Sequence, residues 1–295
     1  MPYLHSMFRL AALVLLLQLS GCVDSDRTEL RGSLYFAAGN YLAQLDLRDG
    51  STSVVANLGD AEIRSLSPQQ EDRLLLTVVG SENNRETRHL VLFDLETRQT
   101  LTLLNGRSGH YLPGTQTLVY DDGARIYVTE RVRGSWQKTL VARHRYNASV
   151  NVMPLSATRF IYQSDDGPLL VYDKTAQRSI GLEELQAVCR FDRAFWFAPR
   201  ERMLCQVRRT EGSFEYAFVG LDGTVHESLP LPAGHDLKPM AFLLDQEVLI
   251  LTERWRSRLA GRVRWGVWVY RLDTQEAYRL LDNQHLGNSV LYMPD

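Results

Sequence analysis

The residues able to do chemistry in this chain are its 3 cysteines, its 7 histidines, two repeated acidic turns and one dense run of arginines. Cys22 directly follows Leu19-Ser20-Gly21 and offers a thiol for modification. Cys189 and Cys205 would close a loop of about 15 residues, and a bridge there would be worth about 3 kcal/mol by loop-closure entropy. Cys205 sits in an apolar run, so a free buried thiol is the alternative. The stretch 253–265, ERWRSRLAGRVRW, carries Arg254, Arg256, Arg258, Arg262 and Arg264, with Trp255 and Trp265 near its ends. Arginine forks hold carboxylate or phosphate and tryptophan anchors interfaces, so the run suits an acidic partner protein or lipid phosphates. The plainer reading is a solvated hairpin edge. Asp-Asp-Gly occurs at 121–123 and 165–167. Four carboxylates suit Ca²⁺, but Asp-Gly is first of all a hairpin turn, and we expect no metal there. His5, His89, His110, His144, His226, His235 and His285 show no metal-ligand spacing. No G-x-S-x-G elbow and no glycine-rich phosphate loop occurs, so no catalytic residue and no cofactor is assigned. His110, His235 and His285 fall between repeats, where they can reach a channel mouth.

Several function classes fall away on composition. The chain has 295 residues, 44% hydrophobic and 23% charged, with net charge -2. That is globular composition with no bulk attraction to nucleic acid. The N-terminus, MFRLAALVLLLQLSGC, has a basic Arg9 and an apolar run about half as long as a spanning helix needs. It fits a secretory signal, with Met7 as an alternative start. Leu19-Ser20-Gly21-Cys22 resembles the lipobox of bacterial lipoproteins. The resemblance implies a signal peptide over 1–21, cleavage before Cys22, and acylation of that cysteine with palmitate among its chains. Residues 22–31 then form a tether that reaches at most roughly 30 Å. Val23 stands where an Asp would favour inner-membrane retention, so the resemblance implies the periplasmic face of the outer membrane.

A repeat occupies the rest. One unit is a strand, a proline turn and a second strand, with Pro68, Pro113, Pro154 and Pro199 in the turn and Leu244 in the equivalent place of a fifth copy. A second unit is a hairpin turned by Asp46, Asp94, Asp173, Asp222 or Asp273, with Arg133-Gly134 replacing it in one copy. Aspartate accepts hydrogen bonds from the turn backbone, and proline presets φ. Only 181–188 could make a helical turn or two. Four strands per step of about 45 residues is the arithmetic of a propeller blade over 32–295.

SLSPQQEDRLLLTVV and LVLFDLETRQTLTLL resemble the two halves of the TolB-type blade motif. The resemblance covers most of the chain beyond residue 32 and implies an all-β, six-bladed propeller. The sixth first-hairpin is split between SLYFAA near the start and SVLYMP at the end, so the ring should close by pairing N- and C-terminal strands. The joins at 80–89, 208–215 and 253–265 are expected to be variable loops on one face, the usual place for binding. Similar envelope propellers organise assemblies. The expected function is therefore a lipid-anchored, non-catalytic scaffold for an envelope protein partner, anchored through Cys22. The alternatives are a propeller enzyme, hydrolase or lactonase, and a small-ligand sensor at the channel mouth.

Overall fold

The computed structural model describes residues 30–293, apart from 69–71, 83–84, 134, 147, 149, 165–166, 209–213, 233, 244–245, 257–262 and 284–289. The signal sequence and Cys22 lie outside the described residues. The last two residues of the expected tether pack on the body. Leu30 is buried among core side chains, and the Arg31 N–H donates to Gln246 Oε1 at 3.0 Å.

The described strands form six sheets of four. The first blade holds β1 (Ser33–Ala38), β2 (Tyr41–Asp46) and β3 (Thr52–Asn57), completed by the last strand, β24 (Val290–Met293). The second is β4 (Glu62–Pro68), β5 (Arg73–Glu82), β6 (Arg85–Asp94) and β7 (Thr100–Asn105). The third is β8 (Ser108–Tyr111), β9 (Leu118–Asp121), β10 (Arg125–Val132) and β11 (Ser135–Arg143). The fourth is β12 (Val150–Pro154), β13 (Arg159–Ser164), β14 (Leu170–Asp173) and β15 (Arg178–Gly181). The fifth is β16 (Cys189–Phe197), β17 (Arg202–Arg208), β18 (Phe214–Val219) and β19 (Val225–Leu229). The sixth is β20 (Leu237–Leu243), β21 (Val248–Arg256), β22 (Val263–Arg271) and β23 (Ala277–Asn283). Helix α1 (Glu183–Val188) is the short turn expected near 181–188, pinned by the fully buried Leu185.

The strand sequences explain the ring. Side chains alternate between the two faces of a strand, and both faces of an inner strand are covered here, so the apolar runs are nearly continuous. In β1, Leu34 and Phe36 pack toward the sixth blade, while Tyr35 and Ala37 pack toward the second. The buried side chains accordingly form six clusters, one at each interface between neighbouring blades. Closure is the expected one: Leu34 pairs with Tyr292 and Phe36 with Val290.

The turns behave as their residues require. Asp46, Asp94, Asp173, Asp222 and Asp273 each accept a turn N–H through Oδ1 at 2.8–3.0 Å. The left-handed position that follows is Gly50 in the first blade but Arg98, Gln177 and Gln275 in three others. The opposite face departs from expectation. Residues 80–82 and 85–89, expected in a loop, instead continue two strands, paired as far as Glu82 with Arg85. The same ladder extension carries β21 and β22 to the Arg256–Val263 pair. β-rich, alternating flanks let the hairpin keep its hydrogen bonds beyond the blade body.

Candidate functional site

The six innermost strands, β24, β4, β8, β12, β16 and β20, touch their neighbours around the ring and enclose a central cavity of about 750 Å³. Its wall is largely apolar, with Trp196, Phe195, Met153, Met240 and Leu291 among its side chains. The size lies in the range of small-molecule sites. Besides the Tyr111 phenol, four side chains that can carry charge break the apolar wall: Arg64, His110, Asp192 and Lys238.

Two of the four are already matched. Arg64 pairs with Glu62 at 2.9 Å, and Asp192 accepts from Arg190 at 3.1 Å. The side chains of Lys238 and His110 have no hydrogen bond or ion pair among the described residues. Burial lowers the affinity of the Lys238 amine for its proton, the positive field of Arg193 lowers it further, and Asp192 pulls partly back. His110 sits on β8 with its ring enclosed by the cavity wall, and that desolvation pushes its imidazole down to about 4. At neutral pH it is therefore an uncharged ring with one donor and one acceptor. The third and sixth blades stand opposite each other in a six-bladed ring, so His110 and Lys238 approach the cavity from opposite walls.

A bulge explains why Asp192 is in the cavity at all. β16 pairs Arg190 with Gln206 and next Phe195 with Leu204, so residues 191–194 oppose a single residue of β17. The excess chain is displaced inward, bringing Phe191, Asp192 and Ala194 to the wall. Arg193 of the same bulge forms a two-pronged pair with Asp236, at 2.7 and 3.1 Å, and ties the bulge to the segment leading into β20. Cys189 and Cys205 are bridged beside it, with Cα atoms 5.7 Å apart. Cys189 pairs with Val207, two residues from Cys205, which puts both cysteines on one face of adjacent strands.

The loop face holds two buried carboxylates, one of them outside any linear motif. Glu253, only 5% exposed, accepts from Trp268 Nε1 at 2.8 Å and Arg279 at 2.7 Å, and lies 2.7 Å from His235 Nδ1. Burial alone would raise its pKa. The bonds from His235 and Trp268 and the charge of Arg279 outweigh that and hold the carboxyl below the usual range. In sequence it looked like the lone acid of a solvated arginine run; it is instead the core of a knot joining the last blade to the chain before it. Asp121, the first residue of an Asp-Asp-Gly turn, accepts from the Gly123 N–H at 2.7 Å and meets His144 Nε2 at 2.8 Å. That is turn geometry with a histidine added. Asp165 and Asp166 of the second such turn lie outside the described residues.

The other sequence candidates divide as follows. The ladder sets Arg254 opposite Trp265, Trp255 opposite Arg264, and Arg256 opposite Val263. Arg258, Arg262 and His285 lie outside the described residues. Of the histidines expected between repeats, His110 reaches the cavity and His235 serves Glu253. Among the described residues no three of His, Cys, Asp and Glu gather in a way that could hold a metal ion.

No family model and no curated protein matches this chain. Solved structures do. TolB from Acinetobacter baumannii superposes with a TM-score of 0.63 at 15% identity, over 90% of this chain and 67% of that one. The fold is a TolB-type propeller. A TolB described as putative, from Agrobacterium tumefaciens, matches at TM-score 0.57 and 14% identity, over 90% of this chain and 99% of that one. A chain of the mitotic checkpoint complex matches at TM-score 0.51 and 10% identity, covering 90% and 80%. The TolB-type likeness thus rests on ring geometry, because six interfaces constrain apolar alternation far more than they constrain residue identity.

Proposed function

We propose that this chain is a lipid-anchored propeller of the bacterial envelope that binds a protein partner and holds it near the outer membrane, without catalysing a reaction. Acylated Cys22 would supply the membrane contact, and two or three acyl chains hold far more firmly than one. The tether beyond it is short, so the body stays close to the bilayer.

The carrying observation is the β21–β22 hairpin. It extends the ladder beyond the blade body and brings Arg254, Trp255, Arg256, Arg264 and Trp265 together as cross-strand neighbours. No acidic residue occurs in 254–265. A strand pair with this arginine and tryptophan content fits an acidic protein surface. The TolB-type ring supports the reading by analogy of fold, and a propeller of similar shape is a chain of a multi-protein complex.

Crosslinking in whole cells tests it. The full-length protein should give a discrete crosslinked species that disappears when Arg254, Arg256 and Arg264 are changed to Ala in a folded variant. A Cys22→Ser protein should lose palmitate labelling and leave the membrane fraction. An unlipidated native protein, or a crosslinking pattern indifferent to the triple substitution, would count against the anchor and the docking face respectively.

A further inference from the structure

We propose that the central cavity is a binding site for a small organic acid, whose carboxylate meets Lys238 and whose far end carries a hydroxyl or carbonyl group for His110. The site is separate from the β21–β22 hairpin and stands whether or not that hairpin docks a partner.

The charge balance of the wall carries the inference. On the wall, Arg64 and Asp192 each have an ionic partner, in Glu62 and Arg190, and the neighbouring Arg193 has one in Asp236. Lys238 lines the same cavity with no ion pair of its own among the described residues, and Asp192, already bonded to Arg190, answers its charge only in part. A cation only partly answered in a partly desolvated wall is stabilised by an anion that enters with it. Desolvation weakens the Lys238 ammonium for the same reason that an incoming carboxylate would strengthen it.

The remaining wall sets the rest of the ligand. His110, neutral at pH 7, offers one N–H and one lone pair and suits an uncharged polar group. Because Lys238 and His110 come from opposite blades, one ligand reaches both only by crossing the cavity. The same wall carries Trp196, Met153 and Met240, which suit a flat apolar middle. Inorganic phosphate has the charge but no such middle. A neutral ring compound has the middle but leaves Lys238 unanswered.

Calorimetric titration of the intact protein at pH 7 tests this. The probes are a panel of arylacetates, with and without a 4-hydroxyl group, each paired with its neutral arylacetamide, together with inorganic phosphate. At least one acid should bind one to one and at least tenfold tighter than its amide. The hydroxylated acid should bind tighter than its parent. Lys238→Met, which keeps the length of the stem, should weaken the acid at least tenfold while the melting temperature is retained. His110→Phe should remove the advantage of the hydroxyl group and spare the parent acid. Saturable heat from no acid in the panel, equal binding of acid and amide, indifference to Lys238→Met in a folded variant, or phosphate binding as tightly as the acids would each overturn the proposal.

Discussion

Leu34 of β1 stands opposite Tyr292 of β24, and this pairing joins the two ends of the described chain in one blade. Val290 beside it is buried in the cluster between the sixth and first blades. Gly32 fits under the same strand at φ 91°, where a Cβ would lie 2.6 Å from the Tyr292 ring and 2.7 Å from the Met293 carbonyl oxygen. Deleting 288–295 should therefore open the ring. Each large buried apolar side chain lost is worth about 1.5–3 kcal/mol, and an unpaired β1 adds an exposed edge. The expected result in thermal melts is a much lower or absent transition. Gly32→Ala should destabilise by more than about 1 kcal/mol, since both the backbone conformation and the space oppose it. A truncated protein with an unchanged melting curve would refute the closure.

Glu253 holds three partners on a buried carboxylate, so its removal leaves Trp268 Nε1 and Arg279 short of an acceptor. Glu253→Gln should cost about 1–3 kcal/mol in denaturant unfolding. The sign with pH follows from the depressed folded pKa. The stabilisation is complete above the unfolded carboxyl value of about 4.3 and is lost as pH falls through the lower folded value. The difference in stability between native protein and Glu253→Gln should shrink over that acid range. A difference independent of pH would show that the carboxylate charge plays no part.

His110 titrates in the folded protein at about 4, against about 6.5 when unfolded. Between those values the unfolded chain holds more protons, so stability falls as the solution is acidified from about pH 6.5 to about pH 4. The full loss attributable to this ring is at most about 3–4 kcal/mol. His110→Gln should flatten that part of the stability profile relative to the native protein and leave the profile above pH 7 unchanged. NMR titration of the ring resonance gives the same quantity directly.

The Cys189–Cys205 bridge spans 16 residues and encloses the 191–194 bulge. Loop-closure entropy assigns it about 3 kcal/mol. Reductant should lower the melting temperature of the native protein and leave a Cys189→Ala, Cys205→Ala variant unaffected. Alkylation followed by mass spectrometry, with and without reduction, reports the bridge itself. Two freely alkylated thiols in protein secreted to an oxidising compartment would contradict it.

Much of the architecture is local and so legible in residues. The Asp46, Asp94, Asp173, Asp222 and Asp273 turns form their expected hydrogen bonds because an aspartate reaches only a few residues along the backbone. The split blade was readable because SLYFAA and SVLYMP are each half of a repeat. The long joins misled, since polar residues such as those at 80–89 can continue a ladder as well as interrupt it. The 191–194 bulge was not readable either. Nothing in CRFDRAFWF says which residue leaves the register, because that depends on the partner strand.

The sequence by itself determined the four-strand period, the number of blades and the strand that closes the ring, because alternation and turn chemistry act over a few residues. Only the tertiary structure decided which polar side chains share a neighbourhood. Glu253 meets Arg279, Asp121 meets His144, and Lys238 faces His110 across the cavity because ring closure and strand register bring distant segments together. Those contacts depend on rigid-body placement of whole blades, and no spacing along the chain encodes it.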